Sequence, residues 1–319
     1  MCREPKKVTV LTGFLGSGKT TLLNTILSKK KGKRFAIIEN EIGEIGIDGE
    51  LIIKNTDSFT ELSNGCICCS LNDNFTDTLQ RLSQRNDWDE LIIEATGVAN
   101  PGGIVSPFKQ FPWIQKYFQI PHVICIADAQ NITDQLIVSD TVATQLAYSD
   151  NIYISKIDLV DSKKLKEVES LLRGFNPFSY VYSGHRDNIP VKELLQKKDS
   201  LRPVIQINAE TNAVNNLDLQ HDHYEAISLS YQAPFDENKL FSRLYTFSLF
   251  QSANVYRFKG IFYDPKKPHK QIIQSVMKSI YIDDGNLWEE DESKISKFVF
   301  IGKDLVEKGF DKMLKSCQL

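Results

Sequence analysis

The sequence predicts an α/β chain: a doubly wound domain with a mainly parallel sheet, joined to a smaller C-terminal α+β domain. Three observations lead there. Strand and helix signals alternate through the first 205 residues, a glycine-rich turn links the first strand to the first helix, and the pattern changes after Pro203. Repeated strand–helix alternation is the signature of a parallel sheet with helices on its faces. The domain limits read as 1–205, a polar linker at 206–225, and 226–319.

Element by element, Lys7 to Leu11 is a short β run, followed by a helical stretch from Thr20 to Ser28. Strands are expected at Phe35 to Glu39, Leu91 to Glu94, His122 to Ala127, Ile152 to Ser155 and Tyr180 to Tyr182, with a helix over Asn74 to Ser83. These apolar runs do not alternate with polar residues, as suits strands buried on both faces. Asn208 to His223 is rich in Asn, Asp and His and reads as a linker or long loop. Beyond it, strands are expected at Ile227 to Tyr231, Val255 to Tyr263, Ser279 to Asp283 and Lys297 to Ile301. A helix is expected over Asn238 to Leu249, and a terminal helix over Asp304 to Ser316.

Composition narrows the function classes. The 319 residues carry 38 Lys plus Arg against 41 Asp plus Glu, a net charge of −3, which argues against a protein that holds nucleic acid by charge. No apolar run approaches the ~20 residues of a membrane span. The N-terminus has no apolar signal core, so a cytoplasmic protein is expected. Three of the six cysteines cluster at Cys66, Cys68 and Cys69, which points to metal or redox chemistry before a disulfide framework.

The segment Gly13-Phe14-Leu15-Gly16-Ser17-Gly18-Lys19-Thr20 matches G-x-x-x-x-G-K-[ST] in full. Glycines let the backbone curl so that several N–H groups face one anion, and the following helix adds its positive end. Gly13, Gly16, Ser17, Gly18, Lys19, Thr20 and Thr21 are therefore candidate nucleotide contacts, with Lys19 on the β and γ phosphates and the Thr20 hydroxyl on Mg²⁺. This makes the first domain a P-loop NTPase G domain. Leu91-Ile92-Ile93-Glu94 ends an apolar strand in the acid expected near Mg²⁺, so Glu94 joins Lys19 as a catalytic candidate, and Gly97 can offer its N–H to the γ-phosphate. Ser155-Lys156-Ile157-Asp158 resembles the guanine-reading N-K-x-D: Asp158 would accept from the guanine N1 and N2 donors, and the Lys156 stem would pack on the base. GTP is thus the expected nucleotide.

Cys66-Ile67-Cys68-Cys69 can converge thiolates on one soft metal, with a buried cysteine-rich turn or a redox pair as the alternatives. Glu39-Asn40-Glu41-Ile42-Gly43-Glu44 offers carboxylates where a nucleotide-sensing switch would lie, for Mg²⁺, for a transition metal or simply for solvent. His221 and His223 add two imidazoles in the linker.

Together, G-F-L-G-S-G-K-T-T, E-N-E-I-G-E-I-G-I-D, N-G-C-I-C-C, I-I-E-A-T-G and S-K-I-D resemble the CobW-type P-loop GTPases, relatives of HypB and UreG. Tyr256 to Gly260 and Phe298 to Gly302 are similar to the CobW C-terminal domain. The resemblance implies Mg²⁺-dependent GTP hydrolysis coupled to binding of Zn²⁺ or of Co²⁺, Ni²⁺ or Fe²⁺. It implies a metal site on Glu39, Glu44 and Cys68, with Cys66 and Cys69 completing the thiolates. Under a chaperone or switch reading, the expected partner is an apo-metalloprotein client or regulatory protein met through the C-terminal domain; charge and the short apolar runs speak against nucleic-acid and membrane partners, and a homo-oligomer stays open. Ser155 stands where the family usually has Asn, Ala95 where it often has Thr, and long histidine tracts are absent. A metallochaperone is the leading reading; a GTP- and metal-dependent regulatory switch and a kinase-type enzyme are the alternatives. Because thiolates must form, Zn²⁺ affinity is expected to fall with pH and to drop in Cys68→Ala. Chelator competition checks this, and wild-type affinity and stoichiometry in the variant would remove the thiolate site.

Overall fold

The computed structural model describes residues 4–39, 51–55, 73–197, 214–219, 222–250, 252–305 and 309–319. The chain divides into two compact units, Met1–Leu172 with Ser179–Ser200, and Arg173–Phe178 with Leu201–Leu319. In chain order the first 200 residues form β1 (Lys7–Thr12), α1 (Lys19–Lys29), β2 (Arg34–Glu39), β3 (Leu51–Asn55), α2 (Asp73–Ser83), β4 (Glu90–Glu94), α3 (Pro101–Gln110), α4 (Pro112–Gln115), β5 (His122–Asp128), α5 (Ile132–Val138), α6 (Asp140–Tyr148), β6 (Asn151–Ser155), α7 (Ser162–Phe175), β7 (Tyr180–Ser183) and α8 (Val191–Leu195).

The first unit is built on a seven-stranded sheet in the order β3-β2-β4-β1-β5-β6-β7. Every neighbouring pair is parallel except β2 and β3, which run antiparallel. The uninterrupted apolar runs have the expected cause. All of β5 and β6 is buried, as is β1 from Val8 onward, because helices cover both faces. On one face Leu22, Leu23 and Ile26 of α1 pack with Leu11, Ile37, Ile92 and Ile126 from four strands. Elsewhere in the unit Trp88 stacks on Phe118 at 5.9 Å, and Phe108 meets Phe118 edge-on at 6.0 Å. β1 lies between β4 and β5, so the loop that leaves it opens at the carboxyl ends of the strands, where α/β sheets bind ligands. β3 is not among the expected strands; its apolar run is only three residues long, at a sheet edge.

The second unit contains β8 (Val214–Leu219), β9 (Asp222–Tyr231), α9 (Glu237–Phe250), β10 (Val255–Phe262), β11 (His269–Val276), β12 (Ser279–Leu287), β13 (Ser296–Lys303) and α10 (Phe310–Lys315). Its sheet has the order β12-β11-β10-β13-β9-β8 and is antiparallel throughout. Leu240, Leu244 and Phe247 of α9 pack into a core rich in phenylalanine, including Phe235, Phe258, Phe262, Phe298 and Phe300. Gly260 faces Phe298 across β10 and β13, and a Cβ there would lie 2.3 Å from the Phe298 ring, so the glycine makes room for the aromatic.

Two expectations need correction. The polar stretch 206–225 is not a continuous linker: Val214–Leu219 and the start of Asp222–Tyr231 pair antiparallel as β8 and β9. An edge strand such as β8 bonds along one side only, so a polar sequence suffices there. The terminal helix does not begin at Asp304. That residue has φ +49°, a left-handed conformation that closes β13, and α10 starts only after Gly309.

Candidate nucleotide-binding site

The loop between β1 and α1 depends on its glycines. Gly13 has φ +142°, and a Cβ would stand 2.4 Å from the Ile126 carbonyl oxygen, a clash no side chain survives. Gly16 and Gly18 have φ +71° and +103°. Gly18 caps α1 without a side-chain bond, so the first N–H groups of an 11-residue helix are left for an anion. Lys19 folds back across the loop, donating to the carbonyl oxygens of Gly13 at 2.8 Å and Phe14 at 3.1 Å. Burial lowers its pKa and the Glu94 carboxylate partly offsets that. The Ser17 hydroxyl oxygen is buried and has no hydrogen-bond partner among the described residues. Thr21, next on α1, is exposed.

The structure brings Thr20 and Glu94 together. The Thr20 hydroxyl donates to Glu94 Oε1 at 2.8 Å, across 74 residues of sequence. These are hard oxygen donors, one on the P-loop helix and one at the end of β4, and they fit a Mg²⁺ ion. Glu39 ends β2 in register with Glu94, so two carboxylates stand on neighbouring strand ends. Gly97 lies against the P-loop: a Cβ there would be 2.8 Å from the Leu15 backbone nitrogen and 2.5 Å from its side chain. The buried Gln145 amide donates to the Gly97 and Ala99 carbonyl oxygens at 3.1 and 3.2 Å and fixes this loop.

The segment after β6 is tied to the phosphate loop. Ser155 Oγ donates to the Ser17 carbonyl oxygen at 2.7 Å, so serine at the first position of S-K-x-D still joins the two loops. Lys156 has φ +55° and its ammonium donates to Asp128 Oδ2 at 2.7 Å. Asp158 follows in a short helical turn, Ile157–Leu159, with its side chain exposed. Below it, the Tyr153 hydroxyl donates to the Gly184 carbonyl oxygen at 3.0 Å, and burial pushes the phenol up to about 12. Cys125 in β5 is fully buried and its thiol is pushed up to about 12, so it stays protonated at neutral pH.

The expected site residues therefore divide. Gly13 to Gly18, Gly97, Lys156 and Asp158 lie in the segments that follow the strands at the carboxyl end of one sheet, Lys19 to Thr21 open α1, and Glu94 and Glu39 end neighbouring strands. Glu44, Cys66, Cys68, Cys69 and His221 lie outside the described residues. Among the described residues no group of three or more His, Cys, Asp or Glu could hold a metal ion. Sequence reasoning missed Asp128 and Gln145. Asp128 ends a buried strand in an acid, as Glu94 does, and that was the available signal; Gln145 carries none.

The fold and these loops define a P-loop nucleotide-binding protein with a second, antiparallel domain. The chain belongs to the CobW/HypB/UreG family: that family's nucleotide-binding domain matches residues 7–182, and the cobW C-terminal domain of cobalamin synthesis proteins matches 224–318. It is 32% identical over 311 residues to the zinc chaperone YjiA of Escherichia coli, covering 95% of this chain and 96% of that protein. It is 28% identical over 350 aligned positions to the zinc chaperone CobW of Pseudomonas aeruginosa, covering 97% and 90%. The crystal structure of the Zn(II)-bound YjiA GTPase from E. coli superposes with a TM-score of 0.75 at 28% identity, covering 99% of this chain and all of that one.

Gly97→Ala is expected to push the Leu15 backbone and lower nucleotide turnover on the order of 10- to 100-fold, the cost of an ångström-scale misplacement. Steady-state phosphate release checks this, with circular dichroism confirming the fold. Turnover within twofold of wild type would contradict the close approach.

Proposed function

We propose that this chain is a zinc-handling GTPase, which couples GTP hydrolysis to the binding and delivery of Zn²⁺ to a client metalloprotein. The observation that carries the reading is the Thr20–Glu94 hydrogen bond of 2.8 Å, which joins the phosphate loop to the strand end beside Glu39. The family membership and the zinc-chaperone relatives support it.

In this reading the loop amides and the α1 N-terminus bind the phosphates. Lys19 exchanges the Gly13 and Phe14 carbonyls for phosphate oxygens and stabilises the charge that develops there. Thr20 and Glu94 would hold Mg²⁺, which when bound neutralises the β- and γ-phosphate oxygens. Asp158, exposed after β6, accepts from the guanine N1 and N2 donors. No general base stands out among the described residues beside the P-loop, so slow intrinsic turnover is expected, as in GTPases that await a partner.

The metal cargo is assigned to Glu39, Glu44, Cys66, Cys68 and Cys69, a carboxylate and thiolate set that also accepts Co²⁺, Ni²⁺ or Fe²⁺. The register of Glu39 with Glu94 supports coupling, because a metal pulling on one strand end shifts the other. Client binding is assigned to the C-terminal domain, where α9 leaves Phe241 and Tyr245, stacked 5.9 Å apart, exposed. No helix among the described residues is long and apolar enough to cross a membrane.

The test is turnover on metal-stripped protein with Mg²⁺ fixed and Zn²⁺ titrated, using GTP, ATP and Cys68→Ala. The expected result is preference for GTP, a change at stoichiometric Zn²⁺, and loss of that change in the variant. Identical turnover with and without Zn²⁺ would contradict the coupling, and a phosphorylated small-molecule product would make the chain a kinase.

A further inference from the structure

The lysine that follows Ser155 is held in an unusual way. A surface lysine ordinarily lays its methylene stem on the protein and leaves its ammonium in water. Lys156 instead has its ammonium anchored. Its ammonium is tied to Asp128 Oδ2 at 2.7 Å, and the carboxylate is buried to 2% side-chain exposure while the lysine side chain keeps 37%. The lysine side chain thus stays partly exposed while its ammonium is tied to a buried acid, and it belongs to the loop where a nucleobase is expected.

Asp128 is itself locked. Oδ1 accepts from the Gln130 N–H at 2.9 Å, and Oδ2 accepts from Asn131 Nδ2 at 2.9 Å as well as from Lys156. Burial alone would raise its pKa; the bonds from Lys156, Asn131 and Gln130 outweigh that, and the carboxyl titrates below its ordinary range. Asp128 ends β5 in register with Ser155, the residue bonded to the P-loop through the Ser17 carbonyl. Anchor, strand end and clamp thus form one continuous support beneath the segment from Ser155 to Asp158.

We propose that Asp128 is a positioning residue for nucleobase binding: it clamps the Lys156 ammonium so that the lysine stem forms a fixed apolar edge on which the purine ring packs. The proposal rests on the guanine-nucleotide reading of this site. A lysine side chain has many rotamers, and ordering them on ligand binding costs affinity. The clamp orders them beforehand, at the expense of a left-handed backbone at Lys156. The stem meets only the face of the ring, so it serves any purine. Discrimination between guanine and adenine falls to Asp158, which meets the edge.

The test is calorimetric titration of the full chain with GDP and with ADP, for wild type, Asp128→Asn, Lys156→Met, the double variant and Asp158→Ala. Asp128→Asn and Lys156→Met are each expected to weaken both nucleotides on the order of tenfold, the factor that ~1.4 kcal/mol represents. The GDP-to-ADP preference stays the same in both, and collapses in Asp158→Ala. The double variant binds no more weakly than the weaker single one, because both substitutions remove one device. Methionine keeps most of the stem on a half-exposed side chain, so this variant tests the clamp even if Asp128→Asn does not fold. Wild-type affinity in Lys156→Met, strictly additive losses, or a changed preference in Asp128→Asn would each overturn the proposal. A wild type that binds ADP as tightly as GDP would instead overturn the GTPase reading, and the same cycle run with either nucleotide would still decide the clamp.

Discussion

The hydrogen bond from Thr20 to Glu94 holds the account together. It connects the helix that begins at the phosphate loop to the end of β4. It can form only because the sheet order puts β4 next to β1, with their carboxyl ends together. Gly97 extends the same contact, since a side chain there would strike the backbone of Leu15. The phosphate loop and the segment 94–97 are therefore one mechanical unit.

That unit borders β2, whose last residue, Glu39, is in register with Glu94. The proposed zinc ligands begin at Glu39. Nucleotide and metal would then bias neighbouring strand ends, and any coupling between them must be reciprocal: if the nucleotide changes metal affinity by some factor, metal changes nucleotide affinity equally. On the other side of β1, Ser155 and Asp128 form a second support, in which the segment after β6, proposed to meet the base, is tied to the phosphate loop through Ser17. The site is thus assembled from strand ends on both flanks of the central strand.

Much of this was legible in sequence, for physical reasons. Strands buried on both faces must be apolar throughout, so β1, β5 and β6 announce themselves. The phosphate loop needs left-handed residues at Gly16 and Gly18 and contact distance at Gly13, so its glycines cannot vary freely. Other features leave weaker traces. β3 and β8 are edge strands, which need neither a long apolar run nor alternation. Asp128 meets Lys156 across 28 residues, and Ser155 meets Ser17 across 138. Such partners are set by strand order, and no local spacing encodes them. Serine stands at position 155 where the family usually has asparagine, and its hydroxyl makes the loop-to-loop bond directly.

The claim at the centre is that nucleotide state and zinc share one piece of structure. The most direct measurement is the Zn²⁺ dissociation constant of the full chain in the presence of GDP and of a non-hydrolysable GTP analogue, in wild type and in Glu94→Gln. The account predicts that the two nucleotides give different zinc affinities in wild type, and that the difference shrinks in the variant. Equal zinc affinity with both nucleotides in wild type would contradict it.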